Sequence, residues 1–174
     1  MSCNETQKND VTTKENKTEV NGKGQSAVVD EDSDPNALQV AKSLDDFKTL
    51  VVAIMAAGVE DALVNTGPLT VFAPVNTAFD KLPEGLVATL LKPENKAKLA
   101  YILKNHVAPA NYPIKTLEKN IIKNRKLYMA SGKYLEVTKQ GDDLYVGGTK
   151  ILQSVKVSNG WVHVIGDILV PSEN

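Results

Sequence analysis

The sequence predicts an α+β domain in which helices come first and antiparallel strands follow. In the first part of the chain, apolar residues such as Phe47, Leu50 and Ile54 recur at the spacing of an amphipathic helix. From Leu127 onward, apolar residues alternate with polar ones, which is typical of half-buried strands. Glycine-containing turn sequences separate these short strands, and Asn159 with Gly160 is the strongest hairpin signal among them.

Length and composition indicate one domain and exclude several classes of function. The chain has 174 residues and a net charge of −1, whereas nucleic-acid-binding domains are usually strongly basic. It contains no apolar run long enough to span a bilayer. It also has no glycine-rich phosphate loop and no metal-ligand spacing, so we expect neither cofactor nor metal.

The chain divides into a polar tail and a folded part. Residues 1–33 contain no aromatic residue and no apolar periodicity, which predicts a disordered polar tether. Residues 34–174 then form the single domain. Cys3, the only cysteine, precedes the tether as the first residue of a mature bacterial lipoprotein does. Two interpretations follow: Cys3 is a lipid attachment site and the only membrane contact, or it is an exposed thiol on a polar tail.

The segment from residue 69 to residue 80 organises the predicted domain. Residues 69–73 form an apolar run typical of a buried strand, and Pro74 ends it. Asn76 occupies the position of a helix N-cap, and a short helix follows. Because Phe72 and Phe79 are two of only three phenylalanines, we expect both to anchor one shared core.

Two blocks of this sequence resemble the signature blocks of the fasciclin (FAS1) domain. Residues 70–79 read Thr-Val-Phe-Ala-Pro-Val-Asn-Thr-Ala-Phe, and residues 159–171 read Asn-Gly-Trp-Val-His-Val-Ile-Gly-Asp-Ile-Leu-Val-Pro. The resemblance covers residues 34–172 and implies a wedge-shaped β-sandwich with several helices packed on it. It further implies a monomeric adhesion or binding module placed outside the cytoplasm: secreted, periplasmic or lipid-anchored at the cell surface.

The resemblance also suggests a docking site. Fasciclin domains often carry a Tyr-His pair linked to adhesion, and the matching residues here are Asn105 and His106. With Tyr112, these residues are expected to form an exposed corner that contacts a cell-surface or matrix protein or polysaccharide. An exposed His106 would make that contact sensitive to pH near neutrality. The alternative for His106 is a helix C-terminal cap.

A cluster of basic residues follows this corner. Five of them lie within twelve positions: Lys115, Lys119, Lys123, Arg125 and Lys126. The cluster is either an ordinary solvated surface or a weak site for acidic polysaccharide or anionic surfaces. A further alternative for the whole domain is a glycan or small-molecule binding module that uses a cleft beside the sheet.

Catalysis is not expected from this sequence. The chain has two histidines, and His163 lies among apolar residues of a predicted strand, where a hydrogen-bonded structural role is expected. No serine lies in a nucleophile-elbow pattern. We therefore predict that the protein is not an enzyme.

Overall fold

The computed structural model describes residues 35–64 and 67–170, so the predicted tether and Cys3 lie outside it. Seven α-helices lie within these ranges: α1 (Ala37–Ser43), α2 (Lys48–Ala57), α3 (Glu60–Val64), α4 (Asn76–Asp80), α5 (Leu86–Leu90), α6 (Lys96–Lys104) and α7 (Ile114–Ile122). The strands are β1 (Leu69–Pro74), β2 (Val107–Ala108), β3 (Leu127–Tyr128), β4 (Tyr134–Leu135), β5 (Val137–Gln140), β6 (Asp143–Val146), β7 (Thr149–Val157) and β8 (Gly160–Ile165). The α+β prediction is confirmed. Each of these helices is too short or too polar to cross a membrane.

Six of the strands form one mixed sheet in the order β2-β1-β8-β7-β6-β5, and β3 pairs with β4 separately. The expectation of purely antiparallel strands is wrong at one place, because β1 and β8 run parallel from Leu69↔Gly160 to Pro74↔Ile165. The long strand β7 pairs with β6 at one end and with β8 at the other, with a β-bulge between Ile151 and Gln153. A bulge of this kind lets one strand pass from one half of a sheet to the other.

Strand β1 is buried on both faces, which explains its continuous apolar sequence. Leu69, Val71 and Ala73 face a cluster shared with the helices, which we call the helix-side cluster. Phe72 points the other way into a second cluster built mainly by the strands and α7, the strand-side cluster. Phe79 is only partly buried and packs against the helix-side cluster. The expectation that Phe72 and Phe79 share one core is therefore wrong, because the sheet separates them.

Asn76 caps a different helix from the one expected. The N-cap of α4 is Val75, and Asn76 is the first residue of that helix. Its Oδ1 atom accepts a hydrogen bond from the Thr49 amide in the first turn of α2 (3.1 Å), and its Nδ2 donates to the Asp45 carbonyl (2.8 Å). Asn76 thus joins the end of β1 to the start of α2.

The hairpin predicted at Asn159 and Gly160 is present, but its loop lies one residue earlier. Val157 pairs with Gly160, so Ser158 and Asn159 form the loop and Gly160 begins β8. Asn159 accepts from the Ala37 amide through Oδ1 (3.0 Å) and donates to the Leu63 carbonyl through Nδ2 (2.7 Å). The hairpin therefore fixes both α1 and α3.

Candidate functional site

The end of α6 places Asn105 and His106 inside the protein. Asn105 has no exposed surface and His106 is 3% exposed. The expectation of an exposed corner at these two residues is wrong, because the chain after β8 folds over them and Leu169 is itself buried. Both side chains form hydrogen bonds with the backbone of that residue.

The ring of His106 has a partner at each nitrogen. Nδ1 lies 2.9 Å from the carbonyl oxygen of Ile102, and Nε2 accepts from the amide of Leu169 at 2.9 Å. A carbonyl accepts only and an amide donates only, so the ring is neutral with its proton on Nδ1. Burial lowers the pKa of His106 to about 4, although the hydrogen bond to Ile102 opposes this shift. The ring therefore caps a carbonyl in the last turn of α6 as a neutral donor, and titration near neutrality is not expected at this residue.

Asn105 also binds the backbone of Leu169. Its Nδ2 donates to the Leu169 carbonyl at 3.0 Å, and its Oδ1 accepts from the Ser131 hydroxyl at 3.0 Å. Asn105 and His106 therefore satisfy both backbone polar groups of Leu169, an arrangement that we call the Leu169 clamp. Its geometry indicates a structural connection between α6 and the segment after β8.

Tyr112 is half-buried and packs against the strand-side cluster. The Thr70 hydroxyl donates to the Ala110 carbonyl (2.8 Å) and accepts from the Tyr112 amide (2.9 Å). His163 donates from Nε2 to the Tyr112 carbonyl (2.7 Å). The sheet thus fixes the loop that carries Tyr112, and the exposed residues nearby are Pro109 and Asn111.

His163 has the structural role that the sequence predicted. It is fully buried, and its Nδ1 lies 2.7 Å from the Ser154 hydroxyl, which donates to it in this tautomer. Its ring stacks on Phe72 with centroids 5.4 Å apart. Burial lowers the pKa of His163, and the hydrogen bond to the Tyr112 carbonyl opposes that shift.

All five residues of the predicted basic cluster are exposed. Two nearby carboxylates are engaged by particular lysines: Glu118 pairs with Lys139 at 3.2 Å and Glu136 with Lys126 at 2.7 Å. Four of the five have no acidic partner among residues 35–64 and 67–170: Lys115, Lys119, Lys123 and Arg125. We call these four residues the basic face.

Helix α7 presents the basic face because it is amphipathic. Ile114, Leu117 and Ile121 pack into the strand-side cluster. Lys115 and Lys119 therefore lie on the opposite side, four residues apart. Ile122, next to them, is 84% exposed, so the face combines cations with one large apolar side chain.

A cavity of about 210 Å³ lies between α4, α5, α6 and residues 168–170, mostly among helices, whereas the alternative drawn from the sequence placed a cleft beside the sheet. Its walls are mostly apolar, and its lining includes Phe79, Leu86, Leu90, Ile102 and Ile168. Lys98 and Tyr101 also line it. The available signal was the segment 86–91, whose apolar positions 86, 87, 90 and 91 exceed what packing of one short helix face requires. Leu103 and His106 line this α5–α6 cavity and also a second one of about 170 Å³.

Comparison with known proteins agrees with the two signature blocks. The family model of the Fasciclin domain matches residues 45–171. A protein of Synechocystis sp. is 38% identical over 84% of this chain and 81% of its own length. The transforming growth factor-beta-induced protein ig-h3 of Sus scrofa is 33% identical over 78% of this chain, which corresponds to 19% of that protein.

A solved structure shows the same fold. The FAS1 domain pair of the insect cell adhesion molecule fasciclin I matches with a TM-score of 0.56 and 20% sequence identity, over 71% of this chain and 45% of that chain. Three observations indicate the same domain: the order of helices and strands, the two sequence blocks, and the family match over residues 45–171. This chain belongs to the fasciclin domain family.

Proposed function

We propose that this protein is a non-catalytic adhesion module that binds acidic polysaccharide through the basic face. The observation that carries the proposal is the set of four exposed cations without acidic partners among the residues that the structure describes. Cations that are not neutralised locally attract a polyanion over a distance of about a Debye length, roughly 8 Å at physiological salt. The similarity to a cell adhesion molecule supports the same class of function.

The exposed side chain of Ile122 favours a contact surface over a merely solvated one. A large apolar side chain that is 84% exposed gains free energy when a partner covers it. It directly precedes Lys123 and follows Lys119 by three residues. Cations can thus hold the anionic groups of a polysaccharide while Ile122 contacts its carbon skeleton.

The absence of catalysis is supported by the state of both histidines. His106 and His163 are buried, and each uses both ring nitrogens in hydrogen bonds to the protein. A histidine that acts as a general base must present a free ring nitrogen to its substrate. Neither ring does so.

We place the module outside the cytoplasm, anchored by a lipid on Cys3. The position of this lone cysteine before a polar segment of about thirty residues supports the proposal. Mass spectrometry of the protein from its native host is expected to find a diacylglyceryl adduct on Cys3. Recovery of the full-length protein with a free thiol would contradict the anchor.

The polysaccharide proposal is tested by removing charge from the basic face. The triple variant Lys115→Gln, Lys119→Gln, Lys123→Gln is expected to bind immobilised heparin at least about tenfold more weakly than the unaltered protein. The matched control is Lys42→Gln, Lys92→Gln, Lys156→Gln, which removes the same charge from exposed lysines elsewhere. Binding of the unaltered protein should fall as NaCl rises from about 0.05 to about 0.5 M.

An equal loss of binding in both triple variants would mean that net charge alone attracts the polymer, which contradicts a specific face. Normal binding by the first variant would also contradict it. In that case Pro109 and Asn111, the exposed residues beside Tyr112, become the next candidates.

A further inference from the structure

We propose that the α5–α6 cavity binds a free medium-chain fatty acid. The aliphatic tail lies inside the cavity, and the carboxylate lies at its rim between Lys98 and Tyr101. This site is separate from the basic face and involves none of its residues.

The walls of the cavity match an aliphatic chain. Thirteen of its sixteen lining residues are apolar, and the other three are Lys98, Tyr101 and His106. The His106 ring cannot bind a polar ligand group, because both its nitrogens are occupied in the protein. The interior therefore offers contact surface without hydrogen-bonding capacity, which selects a hydrocarbon.

Several wall residues are poorly covered by the protein itself. Phe79, Leu86, Val87 and Ile102 are only partly buried, and Val170 is 61% exposed. Each would lose contact with water when a tail enters, at about 25 cal/mol for every Å² covered. Covering these side chains therefore favours the binding of an apolar tail.

The volume suits a ligand of modest size. An apolar cavity of about 150 Å³ is large enough to take up benzene, and this one is about 210 Å³. A medium-length chain such as that of octanoate fits this range better than a long-chain acid does.

The rim selects an anionic head group. Lys98 and Tyr101 are exposed and lie three residues apart on α6, so their side chains are neighbours on one side of the helix. The cavity lining contains no aspartate or glutamate, and Lys98 has no acidic partner within residues 35–64 and 67–170. An ammonium and a phenolic hydroxyl can both donate to one carboxylate.

The test is a titration of the full chain with octanoate, followed by calorimetry and by the NMR shifts of labelled methyl groups. Saturable shifts are expected at Leu86, Leu90, Ile102 and Ile168. Lys98→Glu should weaken octanoate binding by about tenfold or more and leave binding of octanol within about twofold. Lys92→Glu is the matched control, because Lys92 is exposed and lies outside the cavity lining.

A second variant tests the cavity itself. Leu86→Trp should abolish binding of octanoate and octanol alike by filling the space, and Val87→Phe replaces it if the first variant fails to fold.

Four results would overturn the proposal: no saturable binding, an equal effect of Lys92→Glu, normal binding after the cavity is filled, or equal binding of octyltrimethylammonium. It would also be overturned by binding to phosphatidylglycerol vesicles alone, or by a structure of the full chain with residues 171–174 in the cavity.

Discussion

At the scale of single residues, Gly160 at the start of β8 lies against the backbone of β1. Its φ is +146°, and a Cβ atom added there would lie 1.7 Å from the carbonyl oxygen of Leu69. We expect Gly160→Val to lower the free energy of unfolding by more than about 4 kcal/mol, since the backbone of one strand would have to move. Urea unfolding measures this loss.

Gly148 provides a control for backbone strain without a clash. Its φ is +83°, but nothing lies within 4 Å of an added Cβ. We expect Gly148→Ala to cost only about 1–2 kcal/mol. If the two substitutions cost the same, the close approach of β8 to β1 is not what makes glycine necessary at Gly160.

His106 should make the protein less stable as the pH falls. Its pKa is about 4 in the folded protein, against 6.5 as the ordinary value. The unfolded chain therefore binds more protons between these values, and the contribution of the neutral ring is lost as the pH falls from about 6.5 towards 4. Between pH 7 and pH 5 we expect a loss of about 2 kcal/mol from this residue.

Urea unfolding of His106→Gln at the same two pH values checks this expectation. The glutamine cannot titrate, so the variant should be less stable at pH 7 but should show a smaller difference between pH 7 and pH 5. His163, whose pKa is also lowered by burial, contributes to the pH dependence that remains. An unchanged difference in the variant would show that His106 is not the responsible group.

The sequence predicted the role of His106 only as far as residues near it in the chain determine that role. Its position after an amphipathic helix predicted a cap, and Nδ1 does cap the Ile102 carbonyl four residues earlier. Its burial depends on Leu169, 63 residues later in the chain. No local pattern contains that contact, and the expectation of an exposed docking residue failed for this reason.

At the scale of elements, Asn159 connects the β7–β8 hairpin to two helices. Asn159→Ala removes the hydrogen bonds to the Ala37 amide and the Leu63 carbonyl, and we expect a cost of about 1–3 kcal/mol for these partly buried groups. Hydrogen exchange should become faster in both α1 and α3.

The control is Asn36→Ala, which removes only the local N-cap of α1. We expect it to cost about 1 kcal/mol and to accelerate exchange in α1 alone. Exchange in α3 that is unaffected by Asn159→Ala would contradict the role of this side chain as a connection between helices.

The elements that the sequence predicted well are those set by neighbouring residues. The turn sequences correctly predicted the hairpins β5–β6, β6–β7 and β7–β8. The apolar run at residues 168–170 also suggested a last strand, but these residues form no strand. The parallel pairing of β1 with β8 was not predicted, since it joins segments about ninety residues apart. The role of Asn76 was missed for the same reason, because its partners Asp45 and Thr49 belong to another element.

At the scale of the whole molecule, the helix-side and strand-side clusters share the neighbouring strands β1 and β8. We expect Phe72→Ala to cost about 3–5 kcal/mol, because Phe72 is fully buried in the strand-side cluster. Phe79→Ala should cost less, since Phe79 is only partly buried on the other side of the sheet. In the double variant the two costs should add within about 0.5 kcal/mol.

Thermal unfolding followed by near-UV and far-UV circular dichroism tests the same arrangement. Both probes should report one transition in each single variant, because β1 and β8 belong to both clusters. A coupling energy well above 0.5 kcal/mol between Phe72 and Phe79 would instead indicate that the two side chains share one core.

The central position of β8 determines when the protein can fold during its synthesis. Residues 160–165 fill the place between β1 and β7, so the sheet stays open until these residues have left the ribosome. Before that moment, β1 and β7 each lack one of their two neighbouring strands. The helix-side cluster also lacks Val162. The Leu169 clamp joins α6 to a residue that follows β8 in the chain, so it can form only after that strand has been synthesised.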